Sequence, residues 1–323
     1  MSLKVLLMGT GEFALPAFRA VLESAHTVPL VVTQPDKTGR GHHQHVNVVR
    51  QLAEEFSVPV LQPVKVNRPE VLEQLRLAAA DVFLVASFGQ ILRPELLAIP
   101  RLGAFNLHGS LLPRYRGAAP VQYSIWQGEA ITGVTMFRIE PALDSGPLIG
   151  RVETSIEPRE TSGELMLRLA RLCVPFTLQM LDQLEHGTAF PEPQDPNLVT
   201  LAPKIQREDG RIDWALSSRQ IDCHIRAMQP WPKATTLLHR DGQPPVRCLI
   251  QQVRVLDEAT WPKVAAEPGR LQLFDRRLCV RSGDGWLEIQ SIQPEGRRAM
   301  DGTAFANGYP LGSRSKFHPD NQP

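Results

Sequence analysis

Residues 104–122 read AFNLHGSLLPRYRGAAPVQ, and the order of residue types in that stretch decides how the chain folds. An apolar run leads to Asn106 and His108, a Gly, Ser and Pro turn follows, then come Arg114, Arg116 and a small-residue segment able to restart as a helix. That is the pattern of a strand carrying polar side chains to its own end. Asn106 and His108 are two residues apart, so a strand puts both on one face. In an open α/β sheet, ligands bind in the crevice beyond the carboxyl ends of the strands. The two side chains are therefore candidates for working groups in such a crevice.

Upstream, strand-like and helix-like segments alternate. KVLLMG runs into GTGEFALPAFRAVLES, where Gly9, Gly11 and Ala14 match G-x-G-x-x-A. With Pro16 just inside the helix, and Asp36 reached only after Gln34 and Pro35, this reads as a tight strand-to-helix turn rather than a nicotinamide site. NVVRQLAEEFSVPV, PEVLEQLRLAAA and DVFLVASFG continue the alternation up to the central stretch. The class this predicts is α/β, with a Rossmann-like, mostly parallel sheet covered on both faces. Downstream, AAPVQYSIWQGEA reads as a helix, TGVTMFRIEPALDSGPLIGR as a hairpin-like pair around a loop carrying Asp144, and the segment after Thr161 or Ser162 as one long helix. Residues 190–208 are Pro-rich, polar and aperiodic, which predicts a linker between a domain at 1–189 and one at 209–323. In the last part a short amphipathic helix precedes several short strands with DG and GDG turns, the pattern of a small β-barrel.

The chain has 323 residues, 42% apolar and 21% charged, with a formal net charge of +1, which fits an ordinary globular protein long enough for two cores. No run approaches the roughly 20 apolar residues that span a bilayer. The first strand shows no cleavage-type flank, so a cytoplasmic location is expected. Cys173, Cys223, Cys248 and Cys279 are scattered and read as reduced core residues, not as a metal site. His42, His43 and His45 lie on a glycine-rich loop with no carboxylate or cysteine at ligand spacing, so they read as exposed polar residues on a mobile loop facing a partner. Residues 1–200 carry 17 Lys and Arg against 20 Asp and Glu, and residues 201–323 carry 18 against 14. The excess of cations in the second part permits a nucleic-acid partner without requiring one.

The string NLHGSLLPRYRGAAPVQ, with LDSG at 143–146, resembles the signature of the folate-dependent formyltransferases, and VTQPD, FGQILRPELL, TGVTMFRIE, RIDW and MQPWP extend the similarity over nearly the whole chain. The resemblance implies a Rossmann-like catalytic domain followed by an OB-like β-barrel that grips tRNA. It implies formyl transfer from 10-formyltetrahydrofolate, as co-substrate and without a metal, to the free amine of methionyl initiator tRNA. Transfer to a sugar amine, or hydrolysis of formyltetrahydrofolate, is the alternative within the same family. Carried over by position, Asn106, His108 and Asp144 are the catalytic trio: an amide and an imidazole N–H for the oxyanion, and a carboxylate to set the imidazole's tautomer, raise its pKa or relay the amine proton. Ser110, Leu111, Leu112 and Pro113 match the folate-binding turn, and Phe88, Gly89, Gln90, Ile91 and Leu92 a second wall of the same slot. Lys37, Arg40 and Arg50 stand for the tRNA-contacting loop, while Arg114 and Arg116 stay open between a ligand contact and a surface cation. Nothing in the sequence demands more than a monomer.

Overall fold

The computed structural model describes residues 2–38, 44–45, 47–261 and 264–319. Contacts divide the chain into two compact units, one formed by Met1–Pro120, Ile131–Ser155 and Leu165–Pro203, the other by Val121–Ala130, Ile156–Glu164 and Lys204–Pro323.

The first unit is built on a seven-stranded sheet. Its strands are β1 (Val5–Gly9), β2 (Val31–Val32), β5 (Val60–Leu61), β6 (Val82–Ala86), β7 (Gly103–His108), β8 (Ile131–Arg138) and β9 (Leu148–Ser155), while β3 (Lys37–Thr38) and β4 (Gln44–His45) form a separate small ribbon. The order is β5-β2-β1-β6-β7-β8-β9, parallel as far as β7 and antiparallel across β7–β8 and β8–β9. The sequences VLLMG and VFLVA of β1 and β6 are buried at every position, as expected for strands covered on both faces. On one face Leu6, Met8, Phe83 and Val85 share a core with Val71, Leu72 and Leu75 of helix α3 (Pro69–Leu77) and Leu96 of the short helix α4 (Pro94–Leu97). Each such side chain contributes about 1.5–3 kcal/mol on burial. Helix α1 (Leu15–Glu23) buries Ala17, Phe18 and Val21, a one-sided spacing. Helix α2 (Val48–Glu55) starts at Asn47, whose side chain accepts from the N–H groups of Val49 and Arg50. From β1 the chain runs outward to β2 and β5, then returns to β6 on the other side of β1. The carboxyl ends of β1 and β6 therefore flank a topological switch point.

The stretch read as a linker is bound along much of its length. Leu148 and Glu192 exchange two backbone hydrogen bonds of 2.8 Å, Arg116 N–H donates to the Thr200 carbonyl at 2.9 Å, and Ala202 N–H donates to the Arg116 carbonyl at 2.7 Å. The contact boundary accordingly falls at Pro203–Lys204, and residues 190–203 form a strap belonging to the first unit. Aperiodic composition identified a segment without a core face of its own; backbone pairing to its neighbours holds it all the same.

In the second unit, helix α7 (Ser218–Ala227) begins with a capping box between Ser217 and Gln220. The strands β10 (Ala234–Arg240), β11 (Gln243–Val255), β12 (Leu271–Phe274), β13 (Arg277–Arg281), β14 (Trp286–Pro294) and β15 (Lys316–Pro319) form an antiparallel sheet in the order β12-β13-β14-β11-β10-β15. A bridge between Arg270 and Lys316 brings its two edges together, which makes the sheet barrel-like. Trp214 of the RIDW string is buried, its indole N–H donating to Thr236 Oγ1 at 3.0 Å and its ring stacked on Phe317. Helix α5 (Pro120–Trp126) lies within this unit from Val121 onward, and helix α8 (Gly302–Gly308) completes it. Helix α6 (Ser162–His186) is the long helix expected after residue 161. Among the described residues no helix is long and apolar enough to cross a membrane, and no three His, Cys, Asp or Glu side chains gather as a metal site.

Candidate active site

Strand β7 pairs Asn106 with Val85 on one side and Phe137 on the other, and His108 with Thr135. The two-residue period therefore delivers both side chains to the same face at the strand's end. Beyond His108 the chain turns back on itself. Ser110 Oγ donates to the Arg114 carbonyl at 2.7 Å, Thr135 Oγ1 donates to the Ser110 carbonyl at 2.7 Å, and Leu112 N–H donates to Thr135 Oγ1 at 3.1 Å. A cis peptide joins Leu112 to Pro113. The turn carries Tyr115 back over His108.

His108 is 5% exposed, and its Nε2 lies 2.8 Å from the Tyr115 carbonyl oxygen. A carbonyl only accepts, so the proton of a neutral His108 is on Nε2, and Nδ1 keeps its lone pair. That nitrogen faces Asp144, whose Oδ2 is 3.7 Å away, beyond hydrogen-bond reach. Burial lowers the His108 pKa below its ordinary 6.5, and this outweighs the opposing pull of the Asp144 carboxylate and of the bond to Tyr115. One feature expected from the sequence is thereby corrected: the imidazole N–H is committed to a backbone carbonyl and does not point at an oxyanion. The carboxylate does raise the pKa, as expected, but by less than burial lowers it. Phe137 supplies part of those surroundings, its ring meeting His108 edge to face at 6.2 Å between centroids. Among the described residues the Asn106 side chain has no hydrogen-bond partner, so its N–H donors are available to a ligand.

Asp144 sits in the loop between β8 and β9 with φ of +45°, a left-handed conformation that a non-glycine residue rarely adopts. Its Oδ2 accepts from Gly117 N–H at 2.8 Å. Gly117 itself has φ of +125°, and a Cβ there would stand 2.5 Å from the Ala202 carbonyl oxygen, so only glycine fits.

The other residues expected at the site divide into two groups. Ser110, Leu112 and Pro113 are buried and build the turn, while Leu111 is half-buried. Phe88 and Leu92 are core side chains beside α3 and α4, whereas Ile91 is 80% exposed. Gln90 is used internally: its Oε1 accepts from Val66 N–H at 2.8 Å, and its Nε2 donates to the Pro63 carbonyl at 3.1 Å and to Gln34 Oε1 at 3.3 Å. Gly89 has φ of +78°. What the 88–92 segment offers a flat ligand is its backbone and the Ile91 side chain. Gln34 and Thr10 join it at the switch point, Gln34 Nε2 donating to the Phe88 carbonyl at 2.9 Å and Gln34 N–H to Thr10 Oγ1 at 3.4 Å. Of the three cations assigned to tRNA, Arg40 lies outside the described residues, as do His42 and His43, and Lys37 is described only as part of β3. Arg50 is tied to Asp36 at 2.7 Å, so its charge is largely neutralised within the unit.

A family model described as "Formyl transferase" matches residues 1–178, and one described as "Formyl transferase, C-terminal domain" matches residues 204–310. The chain belongs to the formyl transferase family. A protein of Solibacter usitatus (strain Ellin6076) named methionyl-tRNA formyltransferase is 41% identical over 316 residues, covering 98% of each chain. Among solved structures, WlaRD, a sugar 3N-formyl transferase determined in the presence of dTDP and 5-N-formyl-THF, superposes with a TM-score of 0.66 at 17% identity, covering 92% of this chain and all of its own. HypX from Aquifex aeolicus in complex with tetrahydrofolic acid superposes with a TM-score of 0.57 at 16% identity, over 95% of this chain and 47% of its own length. At such identities the two structures bear on the fold alone.

The sequence missed the residues that hold the backbone of this candidate site in place. Tyr115 acts by its carbonyl, which any side chain supplies. Thr135 was visible only as part of TGVTMFRIE. Gln194 and Thr200 lay in the stretch read as a linker.

Proposed function

We propose that this chain transfers the formyl group of 10-formyltetrahydrofolate to the α-amine of methionyl initiator tRNA, giving N-formylmethionyl-tRNA for translation initiation. The observation that carries the reading is the meeting of a buried neutral imidazole, with Nδ1 unprotonated and facing a carboxylate, and the free amide of Asn106 one residue pair away on the same strand. The full-length similarity to a methionyl-tRNA formyltransferase supports the acceptor.

The chemistry follows from these groups. As the amine nitrogen bonds to the formyl carbon, the formyl oxygen gains negative charge, and the Asn106 amide N–H donates to it. One such donor is worth roughly 2.7–4 kcal/mol in the transition state. His108 Nδ1 takes the proton that the attacking nitrogen sheds. The imidazolium so formed stands beside Asp144, and the carboxylate stabilises it only then, because Nδ1 now presents a proton. His108 then gives the proton to N10 of the folate as the bond from N10 to the formyl carbon breaks, and it returns neutral. No net proton is gained or lost by the protein. The donor's flat pterin is read at the switch-point crevice between the turn at 110–113 and the segment at 88–92. The second unit, with the excess of Lys and Arg in residues 201–323, is read as the tRNA-binding part.

The test is an acceptor panel. Purified protein is incubated with 10-formyltetrahydrofolate and either charged initiator tRNA, nucleotide-linked amino sugars, or water alone. Formyl label on methionyl-tRNA is the expected result. Label on a sugar amine with none on tRNA, or release of formate alone, would replace this reading by the corresponding relative's reaction.

A further inference from the structure

The residues that hold the catalytic loop come from the strap. Gln194 Nε2 donates to the carbonyl oxygens of both Asp144 and Gly146, at 2.8 Å each. Gln194 Oε1 in turn accepts from Arg116 Nε at 3.1 Å and Arg116 Nη2 at 2.7 Å. A single side-chain amide thus ties the loop after β8 to the segment after the Leu112–Pro113 turn. Six residues on, Thr200 Oγ1 accepts from Tyr115 N–H at 2.8 Å, and Tyr115 is the residue whose carbonyl fixes the His108 tautomer. The strap therefore reaches both members of the His108–Asp144 pair without touching either ring or carboxylate.

Asp144 has need of such a restraint. It occupies a left-handed conformation, and its neighbours Ala142 and Leu143 are exposed and give it no core contact. Left-handed geometry at a non-glycine residue costs of order 1–3 kcal/mol and persists only where surrounding bonds over-determine it. The bonds observed include those from Gln194 to the loop's carbonyls, the one from Gly117 N–H to the carboxylate, and one within the loop from Ser145 Oγ to the Ala142 carbonyl at 3.1 Å.

We propose that Gln194 is a positioning residue for formyl transfer, holding the Asp144 loop so that the carboxylate faces His108 Nδ1. This rests on the proposed function for its kinetic consequence, but its geometric content is separate. The charged groups around this corner include Asp144 itself, Glu140, whose side chain lies beside Gly146, Arg116 bound to Gln194, and Arg114, whose guanidinium lies 5.3 Å from the centre of the Tyr115 ring.

The test compares Gln194→Ala and the near-isosteric Gln194→Met with the wild type and with Asp195→Ala. The last removes an adjacent cap bond to Asn197 and controls for the folding of the strap. Two readouts are taken: kcat and KM for formyl transfer, and the acid titration of the His108 ring followed by NMR, which needs no acceptor. Expected for both Gln194 variants is a fall in kcat of roughly 10- to 100-fold, as a displaced catalytic group gives, with KM for the folate within about twofold of wild type. His108 is expected to titrate at lower pH, in the same direction as in Asp144→Asn, while Asp195→Ala behaves as wild type. A His108 titration in the Gln194 variants that matches wild type while Asp144→Asn moves it would overturn the proposal. A wild-type protein that formylates no acceptor would instead remove the functional reading, and the titration would still decide the place of Gln194.

Discussion

Two buried histidines of this chain make the same hydrogen bond in different surroundings. His108, at the end of β7, donates from Nε2 to the Tyr115 carbonyl at 2.8 Å; His224, in α7, has its Nε2 2.6 Å from the Asp209 carbonyl. Burial lowers the pKa of both, and in each a single aspartate pulls the other way. The difference is what lies at the second nitrogen. His224 packs its ring against Trp126, 5.4 Å between centroids, and the Asp209 carboxylate is engaged by Gln206 N–H at 2.6 Å. His108 turns Nδ1 to the Asp144 carboxylate and shares its strand face with an amide that has no partner among the described residues. Burial and a backbone acceptor make a neutral histidine; in the proposed function, a facing carboxylate and an adjoining free donor are what let that neutral histidine serve as a base.

The contrast breaks most sharply on deletion. His108→Ala is expected to lower single-turnover formyl transfer by about 10²- to 10⁴-fold, the usual worth of a positioned acid–base group, with circular dichroism unchanged. His224→Ala, by contrast, is expected to leave transfer within a few-fold of wild type and to lower stability by about 1–3 kcal/mol, because a buried carbonyl loses its donor. Comparable loss of rate in both variants would erase the distinction.

A finer cut is Asp144→Asn. The carboxylate raises the His108 pKa against the stronger effect of burial. Its removal lets His108 stay neutral to lower pH, so the acid limb of the kcat profile is expected to move down. The rate at neutral pH should fall by roughly 10²-fold, since the imidazolium loses its counter-charge. An acid limb that moves upward would contradict the assignment.

Acid stability is the smallest effect and the one the two histidines share. Both have folded pKa values below the ordinary 6.5. As the pH falls from that value through the lower folded ones, the unfolded chain takes up protons that the folded chain does not, and stability is lost. Replacing His224 by Gln should flatten that slope by at most about 1.4 kcal/mol per pH unit, one proton's worth. Chemical denaturation at pH 5 and pH 7 measures it, and an unchanged slope would mean that folding does not lower the His224 pKa.

Much of this was legible in the sequence, and for definite reasons. The two-residue spacing of Asn106 and His108 is a strand period, and the alternation from β1 to β7 is the signature of a parallel sheet. Reading TGVTMFRIEPALDSGPLIGR as a hairpin-like pair placed Asp144 on the loop between antiparallel strands, where it is found. What stayed hidden acts through the backbone or over long separations. Nothing in RYRG states that the Tyr115 carbonyl will receive the His108 proton. PEPQDP has no periodicity, so the stretch holding Gln194 reads as a linker, yet Gln194 meets Asp144 across 50 positions and Arg116 across 78. The cations of the 37–50 loop were legible as charges, but that Arg50 would be held by Asp36 was not.

Everything in the mechanism turns on which ring nitrogen of His108 holds the proton. Nitrogen-15 chemical shifts of the His108 ring at pH 7, with the resonance assigned by its loss in His108→Ala, read this directly. The account predicts a neutral ring with the proton on Nε2 and a bare Nδ1; an imidazolium, or a proton on Nδ1 of a neutral ring, would contradict it.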